Sequence, residues 1–223
     1  LWWVLIKLVI FDLDQTLIDT IHRFHEVFNR VLGMFGGVGV PWNEFIAAYS
    51  SDTLNDYIPK FCDERGVWRE FRRVYSSFIH DLDKPIDGVE EVLKFLKDMG
   101  LKVVVCTGRE CSSEDVVREL RHFNLIYYID GVYTLMHQDP SEEDVVFCRS
   151  GLLKRILDDY GVRVDEALFV GDYWVDMYSA KKVGLKCIGV LTGYEPTNRL
   201  MKFGADYIIR SVADIPDIIK SRT

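Results

Sequence analysis

Leu8-Val9-Ile10-Phe11-Asp12-Leu13-Asp14-Gln15-Thr16-Leu17-Ile18-Asp19-Thr20 is the stretch on which the fold turns. Its first residues close a run, Val4 to Phe11, in which only Lys7 is charged and β-branched and aromatic residues dominate. Such a run predicts a strand covered on both faces, as in a parallel sheet. The strand ends on two carboxylates, Asp12 and Asp14, followed by the hydroxyl of Thr16. In open parallel sheets, ligands bind beyond the carboxyl ends of the strands. Two acids one residue apart repel each other unless a cation lies near, and paired carboxylate oxygens suit Mg²⁺. The plainer alternative is that these aspartates cap the next helix, a position aspartate favours.

Working outward, residues 21–83 show helical spacing and no convincing strand. Phe24, Val27, Phe28, Val31 and Leu32 recur at i, i+3, i+4, i+7 and i+8. A break rich in glycine precedes Pro41, which suits the opening of a second helix carrying Phe45, Ile46 and Tyr49. Further helical pieces are expected around Leu54–Phe61 and Trp68–Phe78. Some sixty helical residues are too many for an ordinary crossover, so 20–83 is expected to be an inserted helical cap. The core is then 1–19 together with 84–223.

From Asp87 onward, helix and strand alternate, which predicts a parallel sheet with helices on both faces. Strands are expected at 102–106, 126–128, 132–135, 168–170, 186–191 and 207–209. Helices are expected at 89–96, 113–123, 151–160, 177–183 and 215–219, with 137–144 a polar loop.

Composition narrows the function. The 223 residues are 48% hydrophobic and 28% charged, with a formal net charge of -8, which is the profile of a globular domain. The acidic balance argues against a nucleic-acid or anionic-membrane surface. It permits an anionic substrate if a metal inverts the local sign. Five scattered cysteines without a CxxC fit a reducing compartment. No run reaches the ~20 apolar residues of a membrane span, and Leu1-Trp2-Trp3 lacks a signal peptide's basic start. A cytoplasmic protein is expected.

Three strand ends carry polar groups: Asp12-x-Asp14-x-Thr16, Thr107-Gly108-Arg109 and Gly171-Asp172-x-x-x-Asp176. Gathered at one crevice, these carboxylates, hydroxyls and backbone amides are the parts of metal-assisted phosphoryl transfer. The sequence resembles the haloacid dehalogenase-like hydrolase superfamily, and within it the phosphoglycolate-phosphatase-like members with a small helical cap. The likeness spans essentially the whole chain. It rests on Asp12-Leu13-Asp14-Gln15-Thr16-Leu17-Ile18-Asp19-Thr20 and on Gly171-Asp172-x-x-x-Asp176 followed by Gly184-Leu185.

The resemblance implies a Rossmann-like core and Mg²⁺-dependent hydrolysis of a small phosphorylated metabolite through an aspartyl-phosphate. Asp12 is implied as nucleophile, and Asp14 as general acid and then base, with its backbone carbonyl on the metal. Asp172 and Asp176 are implied on the Mg²⁺ side, directly or through water. Thr107 and Gly108 are implied to hold phosphoryl oxygens, and Thr16 to support the loop, where a helix cap is an equal alternative. Arg109 either contacts substrate or pairs with Glu110 or another nearby acid.

One departure stands out. The family's usual Lys-Pro pair is replaced by Phe147-Cys148-Arg149-Ser150, so the balancing cation is expected from Arg149, with Lys154 on the following helix as the other candidate. Cap residues His22, Phe24, His25, Trp42, Tyr49 and Trp68 could touch substrate or serve as core. Asp14 disfavours a dehalogenase, because carbon–halogen cleavage needs no leaving-group protonation. A non-catalytic phosphometabolite-binding or interaction module and, more weakly, a phosphomutase stay open. Oligomeric state is not legible.

Overall fold

The computed structural model describes residues 6–220. The start of the expected first strand at Val4, and Trp2-Trp3, lie outside them. Six parallel strands form one sheet in the order β5-β4-β1-β6-β7-β8. They are β1 (Leu8–Phe11), β4 (Lys102–Cys106), β5 (Gly131–Tyr133), β6 (Ala167–Gly171), β7 (Lys186–Val190) and β8 (Tyr207–Ile209). β1 is central, in register with Val103–Val105 on one side and Leu168–Val170 on the other. The strand order reverses between β1 and β6, which is where a crevice opens beyond the strand ends.

The alternation of side chains divides the core in two. Val9, Phe11, Val103, Val105, Leu168 and Val170 face α4 (Val89–Asp98), α5 (Ser113–His122) and α9 (Ile215–Lys220). Leu8, Ile10, Val104, Cys106 and Phe169 face α6 (Ser150–Tyr160), α7 (Trp174–Val183) and α8 (Thr197–Lys202). Every one of those strand side chains is fully buried, and each such burial contributes about 1.5–3 kcal/mol.

Between β2 (Ile18–Asp19) and β3 (Lys84–Pro85), which pair antiparallel, lie α1 (Ile21–Met34), α2 (Trp42–Ser51) and α3 (Glu64–Ser76). These helices share their own apolar cluster, centred on Phe28, Val31, Leu32, Phe45 and Phe71. The short β2–β3 ribbon makes both chain crossings run side by side. Two-residue strands carry too little periodicity to be seen in sequence, and they were not expected.

Several local expectations change. Residues 126–128 form a 3₁₀ turn instead of a strand, and β5 ends at Tyr133, with Leu135 entering another 3₁₀ turn. Short apolar runs do not distinguish these states. Residues 54–57 are a single 3₁₀ turn, residues 140–142 place another inside the expected loop, and α8 was not anticipated. Among the described residues, no helix is long and apolar enough to cross a membrane.

Candidate active site

Beyond the ends of β1 and β6, Asp12, Asp172 and Asp176 each bring a carboxylate oxygen within 4.8 Å of the others. Asp12 follows β1, and Asp172 follows β6. Asp176 sits in the first turn of α7, where it accepts a hydrogen bond from the Tyr173 amide at 3.0 Å. Thr16 donates to Asp172 at 3.0 Å, so this hydroxyl aims a carboxylate and does not line the cavity. Two glycines make room: a Cβ on Gly193 would collide with the Asp172 carboxylate, and one on Gly171 with that of Asp176. All three acids are buried.

Arg149 enters from the N-terminus of α6. Its backbone amide donates to Ser179 Oγ at 3.0 Å and its Nη1 to the Cys106 carbonyl at 3.0 Å. These anchors deliver the guanidinium to both Asp12 and Asp176. Lys154 stands exposed on α6, outside this cluster.

Burial pushes the Asp12 carboxyl up, against the pull of Arg149. Asp172 is raised well above the usual carboxylate range by burial and by the neighbouring Asp12 charge. One guanidinium is too little charge for three buried carboxylates. An all-oxygen acidic set with this surplus fits a hard divalent cation, which Asp12, Asp172 and Asp176 could hold.

The Asp14 side chain is turned elsewhere. Arg109 donates to both of its oxygens, at 2.9 and 2.7 Å. Tyr75 and Thr20 donate at 2.7 and 2.8 Å. Burial alone would raise this carboxyl, but Arg109 outweighs it and holds the group well below the usual range. Arg109 pairs with Asp14 and Glu119, not with Glu110.

Glu119 in turn binds Arg23, and Arg23 binds Asp83. Arg23 is fully buried at the start of α1. This chain of alternating charges ties the helical insertion to α5 and to the loop after β4. A helix-spaced arginine gives no sequence sign of being interior, and Arg23, Tyr75 and Glu119 were all missed.

Thr107 is buried, its Oγ accepting from the Arg109 amide at 3.2 Å, and Gly108 lines the cavity above. That cavity, about 400 Å³, reaches from Asp12 up to Phe24, Tyr49, Trp68 and Phe147. His22, His25 and Trp42 form a separate stack, with His22 and Trp42 parallel at 4.3 Å and His25 bonded to the Val40 carbonyl at 2.7 Å.

Residues 9–190 match the family model of the haloacid dehalogenase-like hydrolases. The chain belongs to that family. Among relatives of this hydrolase, Pyrophosphatase PpaX of Halalkalibacterium halodurans is 26% identical, over 96% of this chain and 97% of that protein. A phosphoglycolate phosphatase of Chromobacterium violaceum is 28% identical, over 97% of each chain. A haloacid dehalogenase-like hydrolase from Streptococcus pneumoniae superposes with a TM-score of 0.77 at 16% identity, covering 96% of this chain and 99% of that one. A hydrolase from Pseudomonas syringae superposes with a TM-score of 0.70 at 20% identity, covering 96% and 98%. The two structures share the fold, and the sequence matches carry the family.

Proposed function

We propose that this hydrolase is a Mg²⁺-dependent phosphatase that cleaves a small phosphomonoester through an aspartyl-phosphate on Asp12. The observation that carries the reading is the meeting of Asp12, Arg149, Asp172 and Asp176 at the floor of one cavity. The names of the relatives, a pyrophosphatase and a phosphoglycolate phosphatase, support phosphate-ester or anhydride chemistry of this kind.

In this account Asp12 attacks phosphorus in line. Arg149 balances the charge on Asp12 and on the phosphoryl group, with a planar fork where a lysine would offer a point charge. Thr107 and the Gly108 amide hold phosphoryl oxygens as charge builds. Asp12, Asp172, Asp176 and the Asp14 carbonyl would hold Mg²⁺, which would supply charge neutralisation. Asp14 protonates the leaving oxygen and then activates the hydrolytic water. Its proton is taken up with substrate, where the phosphoryl charge opposes the hold of Arg109. Residues 20–83 act as the lid that excludes water.

Arg149 on Asp12 supports catalysis over a binding-only module, since it supplies the cation whose usual Lys-Pro source is missing. The test is phosphate release from 4-nitrophenyl phosphate with Mg²⁺, with EDTA, and in Asp12→Asn. Metal-dependent release that disappears in the variant is expected. Release that persists in Asp12→Asn would contradict the assignment.

A further inference from the structure

Building on the phosphomonoesterase reading, we infer that the site is shaped for a phosphate ester whose leaving group carries a planar aromatic ring. Above the carboxylates the cavity walls are rings: Phe24 from α1, Tyr49 from α2, Trp68 and Phe71 from α3, and Phe147 from the loop before α6. The space is about 400 Å³, within the ~300–1,000 Å³ of sites that enclose a drug-sized ligand. A two-carbon acid or a second phosphate would leave most of it empty.

This volume is present with the helices already fastened to the core on two sides. Asp52, at the end of α2, accepts from Tyr173 Oη at 2.7 Å and from Trp174 Nε1 at 2.9 Å. Arg72 of α3 donates to Glu143 at 2.7 Å. Closure therefore does not collapse the chamber.

Several of the polar groups along these walls are engaged with each other or with the core, while Glu64 and Arg65 also line the cavity. Asp52 and Arg72 make the contacts just given, Tyr75 Oη is bound to Asp14 and Thr20, and Trp68 Nε1 donates to Asn55 at 2.7 Å. A flat ring gains offset or edge contacts with the aromatic walls.

Phe147 points the same way. Its φ is +70°, a left-handed conformation that is unfavourable for a bulky residue and that glycine would adopt freely. Its ring stands edge-on to Trp68, with centroids 6.0 Å apart, and lies 5.4 Å from the Arg72 guanidinium. A Cβ on Gly108 would come within 3.3 Å of it. The ring thus joins the phosphoryl-holding loop to the aromatic wall, where a leaving group must pass.

The test matches leaving-group chemistry by using primary-alcohol esters throughout. Pyridoxal 5′-phosphate and adenosine 5′-monophosphate carry a ring; glycerol 3-phosphate and phosphoglycolate do not. We expect kcat/KM to favour the ring-bearing pair by at least about ten-fold, and Phe147→Leu and Trp68→Leu to bring the ratio down to within about three-fold. Calorimetry on Asp12→Asn, with and without Trp68→Leu, measures the same preference as affinity without turnover. Release with no ring preference overturns this inference and leaves the phosphatase reading standing. A ring preference in binding that Trp68→Leu removes, with no release from any ester, keeps the inference and overturns the phosphatase. Binding and release both indifferent to the ring, or absent for ring-bearing esters, overturn it as well. Phe147→Leu lies in a loop, so the comparison holds even if Trp68→Leu does not fold.

Discussion

Arg109 grips Asp14 as a fork, Nε to Oδ2 at 2.9 Å and Nη2 to Oδ1 at 2.7 Å, and its guanidinium also donates to Glu119. The proposed acid–base residue is therefore held by a side chain that is itself clamped from α5. Its carboxyl is held far below the usual range and so stays ionised in the free enzyme. A depressed carboxyl contributes stability above its unfolded pKa of about 3.9, and that stability is lost as pH falls through the folded value.

Arg109→Gln should release that grip and leave Asp14 and Glu119 short of one cation. Losing one partner of a buried ion pair costs about 3–5 kcal/mol, so the melting temperature should fall. The Asp14 pKa should rise, moving the alkaline limb of the pH–rate profile to higher pH. An unmoved limb would show that Asp14 is not the acid.

Asp172 is raised by burial and by Asp12, so without a cation its ionisation works against folding. As pH rises past the unfolded pKa, that unfavourable contribution grows. Asp172→Asn in EDTA at pH 8 should therefore melt higher than the wild type. Mg²⁺ at a hundred times its dissociation constant should stabilise the wild type by about 2.7 kcal/mol, or roughly 5–10 °C in a chain of this size. The variant should respond little, so calorimetric scans with and without Mg²⁺ should reverse the order of the two proteins.

Burial lifts the Glu195 carboxyl to about 7, against the pull of Arg199 at 2.9 Å. The folded state thus holds this proton more tightly than the unfolded one, whose glutamate titrates near 4.3. Stability from this group is present below that value and declines until the pH passes about 7. Glu195→Gln should flatten the decline, with a gain of at most about 4 kcal/mol at pH 8. Denaturant midpoints at pH 5 and pH 8 measure it.

Asp52 holds Tyr173 and Trp174 across the mouth of the cavity, beside a second contact from Arg199 to the Ser51 carbonyl at 2.8 Å. Hydrogen bonds to a charged group contribute about 1.5–3 kcal/mol each when buried, and less at an exposed site such as this. Asp52→Ala should loosen the closed arrangement, raise KM several-fold and speed amide exchange across residues 42–76. Unchanged exchange would mean that closure does not depend on this latch.

Much of the site was legible because strand ends announce themselves. An apolar run that stops on Asp12, on Thr107 or on Gly171-Asp172 leaves few positions for those side chains in a parallel sheet. Arg149 was reachable as the cation within the stretch that replaces the family's Lys-Pro pair, and its anchors, Ser179 and the Cys106 carbonyl, explain why it is this residue and not Lys154 that meets Asp12. Tertiary partners were not legible. Arg23 reads as a solvated helix charge until Asp83 and Glu119, 60 and 96 residues away, close around it. The left-handed φ of Phe147 belongs to a loop whose shape comes from the contacts it makes. The strand expected at 126–128 failed because three apolar residues fit a 3₁₀ turn equally well.

The central claim is that phosphate passes through Asp12. The most direct measurement mixes enzyme with excess substrate and Mg²⁺, quenches in acid within the turnover time, and maps the peptides by mass spectrometry. The account predicts phosphate on the peptide containing Asp12, absent from Asp12→Asn. Steady release of phosphate with no such adduct at any quench time, or with the adduct on another residue, would contradict it.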